Sequence, residues 1–316
     1  MADLRHEQVR ANGLRFHVTA CGEGPRLALC LHGFPESSYS WRHQLPLLAR
    51  LGYRAWAPDL RGYGASDRPP RVADYAIEPL LADVAGLVDA SGAERAVLIG
   101  HDWGALVAWY AAIRRVRDFE RLVILNVPHP EAARAGFRRP VQWLRSLYAV
   151  LFQLPRLPEW LLGRGEGRRL VEGLRRLAVH PETFSDEDLE VHRTALMQPG
   201  ARTAMLNYYR AFVRGGGVRR QRRLGTPVIE IPTLMIWGVR DVALGIETSY
   251  GTERWVRDLT LRYLPEAGHF VQQDAPETVN AMLEAWLRGR PVPVAPGAED
   301  LPGPAGSASL RAAQAK

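Results

Sequence analysis

Apolar residues in this chain fall into short runs separated by stretches of helical period. Residues 14–20 (LRFHVTA) and 26–32 (RLALCLH) read as strands, and the second is apolar at nearly every position, as a strand covered on both faces must be. A helical stretch follows at 39–51, then a strand at 53–59 (YRAWAPD), and the spacing in 79–90 (PLLADVAGLVDA) predicts an amphipathic helix. Residues 95–99 form the next strand, a helix runs from the turn after it to about Arg117, and 122–128 (LVILNVP) is strand again. The pattern resumes only at 232–238 (PTLMIWG) and 259–265 (LTLRYLP). It closes with a helix over 276–289 that has Pro276 in its first turn.

Alternating strands and helices predict the α/β class, with a mostly parallel sheet flanked by helices. The interval 131–225 is Arg-rich and helix-like without a clear strand, so it reads as a helical cap inserted after the sixth strand. Expected boundaries are therefore 1–130 and 226–290 for the two parts of the core and 131–225 for the cap. Residues 291–316, rich in Pro, Ala, Gly and Ser, are expected to be a disordered tail.

Composition narrows the function classes. The 316 residues carry a formal charge of +7, almost all from arginine, since Lys316 is the sole lysine. The densest basic run, Arg219-Arg220-Gln221-Arg222-Arg223, has no interleaved aromatics and reads as a solvated loop, not a nucleic-acid surface. Two cysteines, Cys21 and Cys30, provide neither a disulfide framework nor metal-ligand spacing. No run approaches the roughly 20 apolar residues that span a bilayer, and the first residues lack a signal-type apolar core. A cytoplasmic monomer or homodimer is expected, with no cofactor, bound metal or stable membrane anchor.

The stretch VLIGHDWGA (97–105) carries the chemistry. Gly-x-nucleophile-x-Gly after a buried strand is the pattern of a sharp strand-to-helix turn that projects its middle residue. Here that residue is Asp102, for which the competing reading is a simple helix N-cap. A carboxylate is ionised at neutral pH, since an unperturbed Asp titrates near ~4. Attack on an acyl carbon would produce a reactive anhydride, whereas attack on a saturated carbon produces an ester that activated water can cleave. An alkylating substrate follows, an epoxide or an alkyl halide. The water-activating base is expected to be His269 in PEAGHFVQQD, and its acidic partner Asp241 in WGVRD, in the chain order nucleophile, acid, histidine. Asn126 and Glu131, after strand 122–128, are weaker candidates for the acid, and Asp258 and Asp274 read as cap or surface carboxylates. The backbone amides of Trp103 and of Phe34, in His32-Gly33-Phe34-Pro35, are the expected oxyanion donors.

HGFP, RGYGASDRP (61–69), GHDWGA, WGxxD and AGHF, in this order over residues 5–290, resemble the epoxide hydrolases of the α/β-hydrolase superfamily. The resemblance implies a cis Phe34–Pro35 bond and turn chemistry, not phosphate binding, in RGYGAS. An opening epoxide needs an acid for its oxygen, and tyrosine can donate. The inserted segment contains Tyr148 and the pair Tyr208-Tyr209, of which only one can face a cavity comfortably. Matched residue by residue, the family's lid tyrosines fall on Tyr148 and Tyr209, with Tyr208 as the possible substitute. Together with Trp103 and Phe34 they would bind a largely apolar epoxide. A dehalogenase is the second reading. Haloalkane dehalogenases usually carry Asn or Glu where Phe34 stands, and fluoroacetate dehalogenases Arg where Trp103 stands, with a His-Trp pair near Tyr148. A non-catalytic receptor with a hydrolase pocket ranks last, because the constellation is unbroken.

Overall fold

The computed structural model describes residues 3–299 and residue 301. Eight strands form one sheet in the order β1-β2-β4-β3-β5-β6-β7-β8: β1 Arg5–Ala11, β2 Leu14–Cys21, β3 Arg26–Leu31, β4 Tyr53–Pro58, β5 Ala96–His101, β6 Phe119–Leu125, β7 Thr233–Gly238 and β8 Leu259–Leu264. β1, β2 and β4 pair antiparallel, and the rest of the sheet is parallel. Strands β3, β5 and β7 are buried almost throughout because helices cover both faces. One face carries α1 (Leu45–Arg50) and, at the end of the chain, Pro276–Leu287, packing Leu48, Met282 and Trp286 on Val97 and Ile236. The other carries α2 (Ile77–Ser91) and α3 (Trp103–Arg114), packing Leu81, Leu87 and Trp109 on Leu29, Leu98 and Ile124.

Strand β1 has no hydrophobic signal of its own. It is a charged edge strand, a common safeguard against edge-to-edge association, and it pairs through a tight hairpin at Asn12-Gly13, whose φ values are 47° and 74°. The expected 39–51 helix divides into a 3-10 turn at Ser38–Trp41 and α1. Between β6 and β7 the chain is helical: α4 Pro130–Gly136, α5 Pro140–Arg145, α6 Leu147–Leu151, α7 Leu157–Gly163, α8 Arg168–Leu177, α9 Asp186–Met197, α10 Ala201–Arg214 and α11 Gly217–Arg223. The basic run 219–223 is part of α11, not a loop, and Arg220 docks it with a bidentate pair to Glu78. The RGYGAS stretch is a turn, in which Asp59 accepts from the Ala65 amide and the Arg61 carbonyl accepts from the buried Tyr208 hydroxyl at 3.0 Å. After β8 come α12 (Val271–Asp274) and α13, the helix Pro276–Leu287.

The expectation of disorder from residue 291 fails for 291–299. Val292 and Ala295 are buried in the core beside α13, and Arg262 donates to the carbonyls of Val292 and Pro293. Flanking prolines lower the entropy such a segment loses on ordering. The remainder of that expected tail, residue 300 and residues 302–316, lies outside the described residues.

His129, just past β6, is fully buried between Trp109 and Trp255 and accepts a hydrogen bond from the Glu131 amide on Nδ1. Burial holds its pKa down to about 4, against a weaker opposing pull from Glu131. Below the ordinary histidine pKa the unfolded chain takes up a proton that the folded one refuses, so this site loses stability as pH falls from 6.5 towards 4. His129→Phe should flatten the fall of the urea midpoint across that range, by up to roughly 2–3 kcal/mol of acid-dependent stability. An unchanged acid slope in the variant would contradict it.

Candidate active site

The site lies at the carboxyl ends of the central strands, where loops diverge to opposite faces of the sheet. Asp102 sits between β5 and α3 with φ 48° and ψ −120°, a conformation that L residues rarely adopt and that costs roughly 1–3 kcal/mol. Glycines make the turn possible. A Cβ on Gly104 would lie 2.2 Å from the Leu31 carbonyl oxygen, and one on Gly33 would lie 2.2 Å from the Asp102 Cβ. Asp102 makes no side-chain capping bond to α3, so the simple N-cap reading does not hold. Its Oδ1 instead accepts from the Phe34 amide at 2.7 Å. Phe34 precedes Pro35 in the cis peptide bond that the resemblance implies.

His269, in the loop between β8 and α12, faces both carboxylates. Its Nδ1 donates to Asp241 Oδ2 at 2.8 Å, and its Nε2 lies 3.5 Å from Asp102 Oδ2. Asp241 is buried beyond the end of β7, where its Oδ1 accepts from the Ala243 and Leu244 amides. Burial opposes the charged imidazole, but Asp241 and Asp102 outweigh it and raise the His269 pKa well above its ordinary value. Burial likewise favours a neutral Asp102, yet His269, His101 and the Phe34 amide together hold its pKa below the usual carboxylate range.

Of the expected groups, Asp102, Trp103, Tyr148 and Tyr209 line one cavity of about 230 Å³, whose other walls include Leu106, Val127 and Phe212. Tyr209 is 7% exposed and Tyr148 38%, and their rings meet edge to face at 5.9 Å. Burial, reinforced by the negative charge of Asp102, raises the pKa of both phenols. Tyr208 is turned away, packed on Tyr63 and Tyr75 with its hydroxyl committed to Arg61, and it does not line the cavity. Glu131 is drawn off by Arg134 and Thr226.

Several groups around the site have no local sequence signal. Asn126, weighed above only as a candidate acid, takes φ 53° at the end of β6. From there its amide donates to Asp241 Oδ2 at 2.7 Å while its carbonyl accepts from the Gly238 amide. Glu36 and His101 are completely buried and 2.7 Å apart, and His101 Nε2 donates to the His269 carbonyl at 2.8 Å. The two ring nitrogens of His101 thus tie Glu36 to the backbone of the His269 loop. Glu36 also receives Gln272 and Gln273, which brace the start of α12. Asp274 is no surface carboxylate: it is buried and accepts from the amides of Gly268, Val179 and His180. Asp258 is exposed.

The family model described as alpha/beta hydrolase fold matches residues 28–276. The chain belongs to this family. The hydrolase is 38% identical over 92% of its length to AB hydrolase superfamily protein YfhM of Bacillus subtilis, all of which is covered. It is 36% identical over 89% of its length to Epoxide hydrolase 4 of Mus musculus, covering 78% of that protein. The crystal structure of Epoxide Hydrolase A from Mycobacterium thermoresistibile is similar with a TM-score of 0.80 and 32% identity, over 92% of this chain and 100% of that one. By these likenesses the chain is an epoxide-hydrolase-like α/β hydrolase.

Two carboxylates raise the pKa of His269, and only one of them, Asp102, faces the cavity. Asp102→Asn removes that charge while keeping the side-chain shape, so the His269 pKa should fall. Imidazole NMR titration checks the direction, and a value unmoved by the substitution would refute the coupling.

Proposed function

We propose that the protein hydrolyses an epoxide to a vicinal diol through an alkyl ester on Asp102. The observation that carries this reading is the set of two neutral phenols, Tyr148 and Tyr209, in the same cavity as an ionised carboxylate backed by an Asp–His pair. The phenols bind the oxirane oxygen. Asp102 attacks one ring carbon, the C–O bond breaks, and a tyrosine proton passes to the departing alkoxide. Esterification removes the negative charge of Asp102, so the His269 pKa falls and the proton it sheds restores the tyrosine.

His269 is then neutral and can take a proton from water. The hydroxide so formed adds to the ester carbonyl, and the oxyanion is held by the Phe34 and Trp103 amides, each worth about 3 kcal/mol by analogy with other oxyanion sites. Collapse expels the alkoxide, which recovers its proton from His269. The carboxylic acid left on Asp102 then ionises and recharges the imidazole. In this scheme Asp241, held by Asn126, fixes the ring and stabilises its cation. The helices α4–α11 act as a cap that supplies the phenols and limits access of bulk water, and no cofactor or metal enters any step. A halide would leave without a proton, so a dehalogenase would use the phenols only as hydrogen-bond donors and not as acids.

His269→Gln should alkylate and then stall. Mass spectrometry is expected to find the mass of styrene oxide added to the peptide that contains Asp102, and absence of the adduct there would refute the covalent route. Tyr148→Phe combined with Tyr209→Phe should slow adduct formation by at least ~100-fold. Turnover of haloalkanes or haloacids by the unmodified protein, with epoxides untouched, would establish the dehalogenase reading instead.

A further inference from the structure

The outward face of α5, α6 and the segment leading to α7 is apolar. Trp143, Leu147, Val150 and Leu154 recur at intervals of four, three and four residues, one stripe of a helical surface, with Leu144 beside them and Trp160 beyond. Trp143, Leu144 and Val150 are 64%, 68% and 64% exposed. The opposite side is anchored: Gln142 donates to the Ala243 carbonyl and accepts from the Gly245 amide, and Phe152 is buried against Tyr209. The stripe is therefore the free side of a docked segment, and soluble monomers rarely leave so many large apolar side chains together in water.

The charged residues of this segment are nearly all of one sign. Residues 137–164 contain Arg138, Arg139, Arg145, Arg156 and Arg164 against a single acid, Glu159. Glu159 is itself neutralised by a bidentate pair with Arg210. Exposed tryptophans with arginines around them match the border between hydrocarbon and phosphate in a bilayer. Among the described residues no helix is long and apolar enough to cross a membrane, so such a face would lie on one. The cavity over Asp102 has exposed apolar lining from the same segment and from α10: Phe137, Tyr148, Phe212 and Val213.

We propose that this face docks reversibly on an anionic phospholipid surface and that the cavity takes its apolar epoxide from the bilayer. The docking half stands independently; the substrate half rests on the epoxide reading above. A second copy of this chain is the less fitting occupant, since a two-fold self-contact would bring the arginine border against itself.

The test uses the full chain with vesicles of phosphatidylcholine, with and without phosphatidylglycerol. The protein is expected to sediment with the anionic vesicles, less so in high salt. Leu144→Glu with Val150→Glu should weaken sedimentation by at least roughly tenfold. The same variant should keep its rate on dissolved styrene oxide, which also reports that it folds, and lose rate on a long-chain epoxide presented in those vesicles. Protein that stays in the supernatant with anionic vesicles overturns the docking. So does light scattering that finds a dimer abolished by the two substitutions. Sedimentation together with inactivity on every epoxide would leave the docking standing and sink the hydrolase reading. Sedimentation with equal rates of both proteins on the vesicle-borne epoxide would overturn delivery from the bilayer.

Discussion

A single imidazole between two carboxylates is the constraint that organises this molecule. Asp102 and Asp241 come from the ends of different strands, and both are largely withdrawn from water. Carboxylates so placed would repel one another and take up protons unless something positive stood between them. His269 supplies that charge, and its loop must be held tightly enough to keep contacts of 2.8 and 3.5 Å on either side. Much of the surrounding framework serves this purpose. Asn126 and the Ala243 and Leu244 amides fix Asp241, the Phe34 amide and the strained turn fix Asp102, and His101 holds the backbone of His269 itself.

The same arrangement connects charge to reactivity. While Asp102 is ionised, the imidazole is held as a cation and cannot accept a proton. If that carboxylate became a neutral ester, as proposed, the reason for the extra proton would disappear. In the proposed reaction the nucleophile's own fate switches the base on, and no conformational change is needed for the order of steps.

Much of this was legible in the sequence because it depends on local rules. Asp102 announces itself through the glycines that let β5 and α3 approach, and Asp241 and His269 through their positions just past strands β7 and β8. The strands β3 and β5 stand out because they are covered on both faces. What escaped notice has no local pattern. β1 carries charge because it is an edge strand, and its existence follows from pairing with β2. Glu36 and His101 are polar residues that become a buried pair only when β3 and β5 lie side by side. Asn126 was weighed as an acid, whereas its value lies in an unusual backbone conformation that turns its amide toward Asp241. Tyr148 and Tyr209 are matched by likeness to a family, and the structure adds that the possible substitute, Tyr208, has its hydroxyl committed to the Arg61 carbonyl.

Asp274 has a consequence for motion. One carboxylate receives an amide from the loop that bears His269 and two amides from the chain linking α8 to α9. Roof and base thus share a fastening. If the overlying helices moved to release the proposed product, that joint would carry the movement to the backbone next to His269. Opening the chamber and disarming the catalyst would then be the same movement.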